Sequence, residues 1–325
     1  MKITHKKEGE NTIKRLFTLL LTGLLSLSLA ACSSGLEQTA SSASSAAGSD
    51  ATAAAAAGDK VTVGLSVSTL SNPFFVTLTD SAKAKADELG VELIVVDAGD
   101  DSAKQTNDIE DLVSRKIQVL TVNPVDSSAV APAVGDAIAK GIKTISVDRG
   151  VEGQTVDCAI ASDNVQGAEL AANYLVELLG EGAKVAELTG VEGSSAAIDR
   201  GQGFHNVADQ KLSVVASQTA NFNRAEGLSV MENILQANPD VQGVFAHNDE
   251  MTLGAVEAAA GKNIAILGFD ATDDAKKAVA DGTMKATVAQ KPDMMGATAV
   301  EMAKKLAAGE TVEPVIAVEV ELIKK

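Results

Sequence analysis

An α/β protein of two lobes, each built on a doubly wound parallel sheet, is the fold this sequence predicts. Three observations carry that expectation. From residue 60 onward, short runs rich in β-branched residues alternate with segments of helical period. The apolar runs lack a period-two alternation, which suits parallel strands buried on both faces. The strand–helix units are also too numerous for one comfortable sheet, so the chain divides.

The elements follow in order. Strands are expected at 61–67, 91–96, 119–122, 142–147 and 156–161, with helices through 82–89, 104–115 and 129–140 between them. A second series has strands at 184–188, 212–216, 241–245 and 264–267 and helices at 168–179, 196–208, 227–236 and 252–260. A strand at 285–289, a helix at 296–307 and a final strand near 315–320 close the chain. Strict alternation of this kind builds right-handed βαβ units. No helix-turn-helix segment precedes the first strand.

Residues 1–31 read as an export signal: Lys14 and Arg15 precede an apolar run, 16–31, too short and wrongly flanked for a stable membrane span. The run ends in Leu29-Ala30-Ala31-Cys32, which resembles the lipobox of bacterial lipoproteins, where the cysteine is lipidated and becomes the mature N-terminus. Residues 33–58 are almost entirely Ser, Ala, Gly and Thr, too poor in bulky apolar groups to fold. Residues 32–59 are therefore expected to tether an acyl anchor to the folded lobes, and acyl chains hold a protein without spanning the bilayer. With Cys32 so used, Cys158 reads as a small buried hydrophobe, and no disulfide is expected.

The 325 residues carry a formal net charge of −17. Removing residues 1–31 takes away five basic and two acidic side chains, which leaves 22 basic against 42 acidic, a net of −20. Such a surface repels phosphate backbones and excludes nucleic acid as a partner. Aromatics are scarce, with seven Phe, one Tyr and no Trp.

Ligands of open α/β sheets bind beyond the carboxyl ends of the strands. After the first strand come Ser68, Asn72, Phe74 and Phe75; Asp148 and Arg149 follow strand 142–147. Arg200 sits on the helix after strand 184–188, and Phe222 beyond strand 212–216. Later strands lead to Asn248, to Phe269 and Asp270, and to Gln290. Both series contribute, so the site is expected between two lobes. Asp accepts from hydroxyls, Arg donates in a planar fork, and Asn and Gln do both, as vicinal hydroxyls require. Four of the seven Phe belong to the set, and flat rings cover the apolar faces of sugars. Singly, each residue has a plainer explanation. A Phe after a strand is usually core, Asp148 and Arg149 can form a local ion pair, and Asn72 before Pro73 can set a turn. The joint placement carries the reading.

The motifs Ser68-Thr69-Leu70-Ser71-Asn72-Pro73-Phe74-Phe75, Asn123-Pro124, Val147-Asp148-Arg149, Ala161-Ser162-Asp163-Asn164, Ala196-Ala197-Ile198-Asp199-Arg200-Gly201, Asn248-Asp249-Glu250-Met251 and Gly268-Phe269-Asp270 resemble those of the ribose-binding proteins of ABC sugar importers. The resemblance covers essentially all of 60–325. It implies the type I periplasmic-binding-protein fold, in which three crossings form the hinge, here near Ser162, Gln290 and Glu319. An N-terminal lobe of 60–162 plus 291–319 and a C-terminal lobe of 163–290 plus 320–325 follow. It further implies a monomer that captures D-ribose with all twelve residues above and delivers it to an ABC importer permease from the outer face of the cell membrane, or on the periplasmic side in a two-membrane cell. The departures, a slight shortening within 254–262 and Ile198 where the family usually has a basic residue, lie outside the expected pocket.

Three rival functions stand against this reading. An enzyme is opposed by the lack of a nucleophile elbow, a phosphate-binding loop or a dinucleotide fingerprint; no cofactor is expected. His5, His205 and His247 show no metal spacing, so no metal is expected either. The sensing core of a sugar-responsive repressor is opposed by the leader and the absent DNA-binding segment. Another small sugar (allose, another pentose or a furanosyl signalling molecule) stays open, because residue types do not place hydroxyl groups.

Overall fold

The computed structural model describes residues 60–325, and residues 1–31, Cys32 and the linker 32–59 lie outside this range. The first lobe is laid down as β1 (Thr62–Val67), α1 (Pro73–Leu89), β2 (Glu92–Asp97), α2 (Ser102–Ser114), β3 (Val119–Val122), α3 (Ala131–Ala139), β4 (Lys143–Val147) and β5 (Cys158–Ser162). The second follows as α4 (Asn164–Leu179), β6 (Lys184–Thr189), α5 (Ser195–Lys211), β7 (Ser213–Thr219), α6 (Arg224–Ala237), β8 (Gly243–Ala246), α7 (Asp249–Ala258), β9 (Ala265–Asp270), α8 (Asp273–Asp281) and β10 (Ala286–Ala289). The chain then returns with α9 (Pro292–Ala307) and β11 (Val315–Val318) and ends in β12 (Glu321–Lys324).

The strands form two six-stranded sheets, ordered β11-β5-β4-β3-β1-β2 and β12-β10-β9-β8-β6-β7. The chain passes between sheets three times, after β5, after β10 and between β11 and β12. Helices cover both faces of each sheet, which is why the strands read as unbroken apolar runs. In the N-terminal lobe, Leu65, Phe74, Ile145, Ile160 and Met295 pack beneath α1 and α9, while Ile109, Leu112, Leu120 and Val134 fill the other face. In the C-terminal lobe, Leu175, Phe204, Phe245 and Leu267 pack beneath α4 and α5, and Leu188, Met231, Val244 and Ile266 beneath α6 and α7. Cys158 is fully buried in the first of these cores, among aliphatic neighbours.

Three details differ from the sequence expectation. The end of the chain is two strands rather than one: β11 joins the first sheet, and β12 joins the second as an antiparallel partner of β10, so that sheet is mixed. Only Glu319 and Val320 separate the two, too few to read as a break. Helix α8 was not anticipated, because Ala275, Ala278 and Val279 are its only buried residues and the rest is mostly charged. Helix α1 begins at Pro73, nine residues before the expected 82. Pro is tolerated at the first helical position, and Asn72 is the N-cap, its side chain accepting from the Phe74 N–H.

Candidate functional site

Most of the polar strand-end residues converge where the lobes face each other. Asn72, Phe74, Phe75, Asp148, Arg149, Arg200, Phe222, Asn248, Asp270 and Gln290 line one narrow cavity, together with Ala196. Its free space is about 10 Å³, room for about one water, so the walls stand nearly in contact. Two wider grooves adjoin it, one sharing Phe74, Asp270 and Gln290, the other Asn72, Phe75, Arg149 and Phe222.

Ser68 and Phe269 do not line this cavity. Ser68 is fully buried behind it and donates its hydroxyl to Asn123 Oδ1 (2.7 Å). Asn123 in turn donates Nδ2 to the Val147 carbonyl and to Asp148 Oδ2 (3.3 Å), so Ser68 reaches the cavity only through the residue that orients Asp148. Phe269 is core, and the Arg200 guanidinium lies 3.9 Å above its ring centre.

Each lobe contributes one acid and one arginine. From the N-terminal lobe, Asp148 follows β4, and Arg149 donates Nη1 to the Pro124 carbonyl (2.9 Å) with its Nε 3.7 Å from Asp148 Oδ2. From the C-terminal lobe, Arg200 on α5 donates Nε to Asn164 Oδ1 (2.8 Å) and Nη1 to the His247 carbonyl (2.6 Å), 3.8 Å from Asp270 Oδ1. Gln290 donates Nε2 to the same Asp270 oxygen (2.7 Å). Asn248 caps α7 through Oδ1 and donates Nδ2 to the Phe222 carbonyl (3.3 Å). Phe222 reaches across the cleft, its ring centre 5.1 Å from the Arg149 guanidinium and 6.0 Å from that of Arg200.

The site is electrostatically strained. Burial raises the Asp148 carboxyl, against the pull of Arg149, Arg200 and the Asn123 amide. Burial raises Asp270 well above the usual carboxylate range, with Arg200 opposing and Asp249 adding to the rise. The same burial lowers both guanidiniums. Asp148 Oδ1, Arg149 Nε and Gln290 Oε1 are buried without a hydrogen-bond partner in the protein. Each such group costs about 1–3 kcal/mol, and more when charged. The backbone is strained as well: Asp148, Phe222 and Asp270 have φ of 65°, 58° and 125°. Non-glycine residues hold such conformations at about 1–3 kcal/mol each, and they cluster at ligand sites. A small hydroxyl-rich molecule is what satisfies acceptors and donors so arranged, and the Phe rings bound it with apolar surface.

Several supporting residues were not named as site residues from sequence. Asn164 and His247 hold Arg200 from below. The His247 ring donates Nε2 to Glu187 (2.9 Å) while its Nδ1 accepts from the Gly190 N–H (3.4 Å). Glu187 also accepts from the Ser217 hydroxyl and meets His205, which pairs with Asp209 (2.7 Å). Asp249, buried under the Asp270 turn, accepts from Thr272 and Thr287, and burial pushes its pKa up to about 7. Glu187 is an acid inside an apolar strand, a signal that was available; Asn164 and Asp249 are visible only once α4 and β9 are in place.

Known proteins share both this sequence and this fold. The chain is 53% identical over 237 residues to a ribose import binding protein of Bacillus subtilis, covering 72% of this chain and 78% of that one. It is 48% identical over 270 residues to a ribose import binding protein of Escherichia coli, covering 82% and 91%. A Caulobacter myo-inositol binding protein, solved with myo-inositol bound, superposes with a TM-score of 0.79 at 34% identity, covering 82% of this chain and 94% of that one. The profile of the periplasmic binding protein domain matches residues 63–311, most of the chain, and the chain therefore belongs to that family of solute-binding proteins.

Proposed function

We propose that this chain captures D-ribose in the cleft between its lobes and delivers it to an ABC importer permease. The observation that carries the reading is the ring of Asp148, Arg149, Arg200 and Asp270, buried at the lobe interface with Asp148 Oδ1, Arg149 Nε and Gln290 Oε1 unpartnered. A sugar bridging the two walls satisfies those groups only when the lobes are together, so binding and closure are one event. The relatives at about half identity are ribose import binding proteins, which supports the choice of sugar. Asn72, Asn248 and Gln290 complete the polar rim; Phe74, Phe75 and Phe222 bound the ring; Ser68 and Phe269 brace Asp148 and Arg200. The exposed acidic rims of both lobes are the natural contact for basic permease residues, and only the closed form signals cargo.

Titration of the purified protein against D-ribose, D-allose, other pentoses and furanosyl sugars tests the reading. Ribose should bind most tightly; a tighter competitor would transfer the same role to that sugar. For Cys32, we propose lipidation at the outer face of the membrane, with 33–58 as tether. The full-length protein should take up labelled fatty acid and the Cys32→Ala protein should not. Equal labelling would remove the anchor.

A further inference from the structure

The lobes also meet away from the cavity. Ser127, in the loop after β3, donates its N–H to the Gly193 carbonyl (2.9 Å). Ser195, the first residue of α5, donates its N–H to the Ser127 hydroxyl (3.1 Å), and its own hydroxyl accepts from the Gly150 N–H in the loop after β4 (2.9 Å). Among the described residues, and outside the hinge segments, these three are the hydrogen bonds that pass between lobes, and no ion pair does. Ser127, Gly150, Gly193 and Ser195 are all absent from the cavity lining. Strands β3 and β6, which carry the two main loops, lie inside their sheets, away from the edge strands β11 and β12 that form one of the hinge segments.

Both halves of this contact are braced within their own lobe. Asp126 Oδ1 accepts from the N–H groups of Ser128 (2.9 Å) and Ala129 (2.8 Å), and the Glu152 N–H donates to the Ser127 carbonyl (2.9 Å). Opposite, the Ser194 N–H closes a tight turn onto the Val191 carbonyl (3.0 Å). Gly193 fits this role through its size. Its φ is not in the left-handed region, so any residue could adopt its backbone, yet a Cβ there would lie 1.8 Å from Asp126 Oδ2. That carboxylate is held by its cap bonds and cannot swing aside freely. The glycine therefore serves the close approach of one lobe to the other.

We propose that Ser127, Gly193 and Ser195 form a latch between the lobes that stabilises the closed form by the same amount whatever sugar lies inside. They are positioning residues: the pocket sets which sugar is preferred, and the latch sets how tightly all of them are held. The proposal rests on the reading that the chain closes on a sugar, and its test separates the two. A net hydrogen bond is worth a few-fold in an equilibrium, and closing free energy enters the apparent affinity directly. Calorimetry on Ser127→Ala and Ser195→Ala should show affinity lowered roughly three- to tenfold, by one common factor for ribose and for every weaker sugar, with the sugar-free melting temperature unchanged. A pocket residue would change the ratios among sugars. Gly193→Ala, which blocks the approach, should lose at least a hundredfold and keep an open radius in small-angle scattering at saturating ribose. Because the latch consists of protein atoms alone, it also works without sugar: paired spin labels at exposed Lys140 and Lys211 should report two lobe separations in the sugar-free parent and one in Gly193→Ala. Failure of the parent to bind any sugar would sink the functional reading and leave the spin-label arm standing. Parental affinity and closure in Gly193→Ala, altered sugar ratios in the serine variants, or identical separations in parent and variant would overturn the latch.

Discussion

The two walls of the cleft carry the same pair of charges but hold them differently. On the C-terminal wall, Arg200 is tied from below by Asn164 and the His247 carbonyl and rests on Phe269, so its fork is in place before anything arrives. On the N-terminal wall, Arg149 has one protein bond, to the Pro124 carbonyl; its Nε is unpartnered, and its plane lies between Phe75 and the opposing Phe222. One wall is preorganised by its own lobe, and the other is completed by closure. The difference shows how a hinged site separates holding the protein together from holding the sugar.

The largest expected effects come from breaking each wall. Arg200→Ala and Arg149→Ala should both lower ribose affinity at least a hundredfold, since each leaves the acid of its own wall uncompensated once the lobes close over it, at about 3–5 kcal/mol. Stability separates them. Arg200→Ala also leaves Asn164 Oδ1 and the His247 carbonyl without their donor, about 2 kcal/mol, so the sugar-free protein should melt roughly 4–8 °C lower. Arg149→Ala should melt close to the parent. Equal melting losses in calorimetric scans would erase the distinction between walls.

A smaller effect is expected at the ring that joins them. Phe222→Ala removes the aromatic face shared by both guanidiniums and leaves their hydrogen bonds in place. Affinity should fall about tenfold, for roughly 1–2 kcal/mol of lost cation–π and apolar contact. A loss as great as that of either arginine variant would mean the ring, rather than the polar rim, holds the sugar.

The smallest effect concerns pH and belongs to the C-terminal lobe, where both histidines among the described residues lie. Partial burial pulls the His205 pKa down, but Asp209 and Glu187 outweigh it and hold it above the usual value. A raised histidine pKa stabilises the fold fully below the unfolded value of about 6.5, and that contribution fades as pH rises through the folded value. The melting advantage of the parent over His205→Gln should therefore shrink from pH 6 to pH 8. His247, whose pKa burial lowers, acts with the opposite sign. An advantage that grows with pH would contradict the assignment.

Much of this was legible from residue order because strand ends and ligand sites coincide in doubly wound sheets. Asp148, Asp270 and Gln290 stand at or just past the ends of β4, β9 and β10, where a reader who finds the strands will look. Phe269 illustrates the limit. As the penultimate residue of β9 it faces the side opposite Asp270, and a period of two decides core against cavity only when the strand's last residue is known. Ser68 lies one layer behind the cavity wall for a different reason. Its partner Asn123 comes just after β3, 55 residues away, and no local pattern pairs them. Helix α8 and the division into β11 and β12 escaped because the first buries almost nothing apolar and the second turns on two residues.

The central claim is that buried polar groups from both walls read the sugar's hydroxyls. A site built to hydrogen-bond a hydroxyl rejects an analogue lacking it far better than an apolar slot can. Calorimetric titration with D-ribose and 2-deoxy-D-ribose under identical conditions tests this most directly. Ribose should bind at least a hundredfold more tightly than the deoxy sugar, in which one donor and acceptor pair is left unmet. Equal affinity for the two would contradict the account.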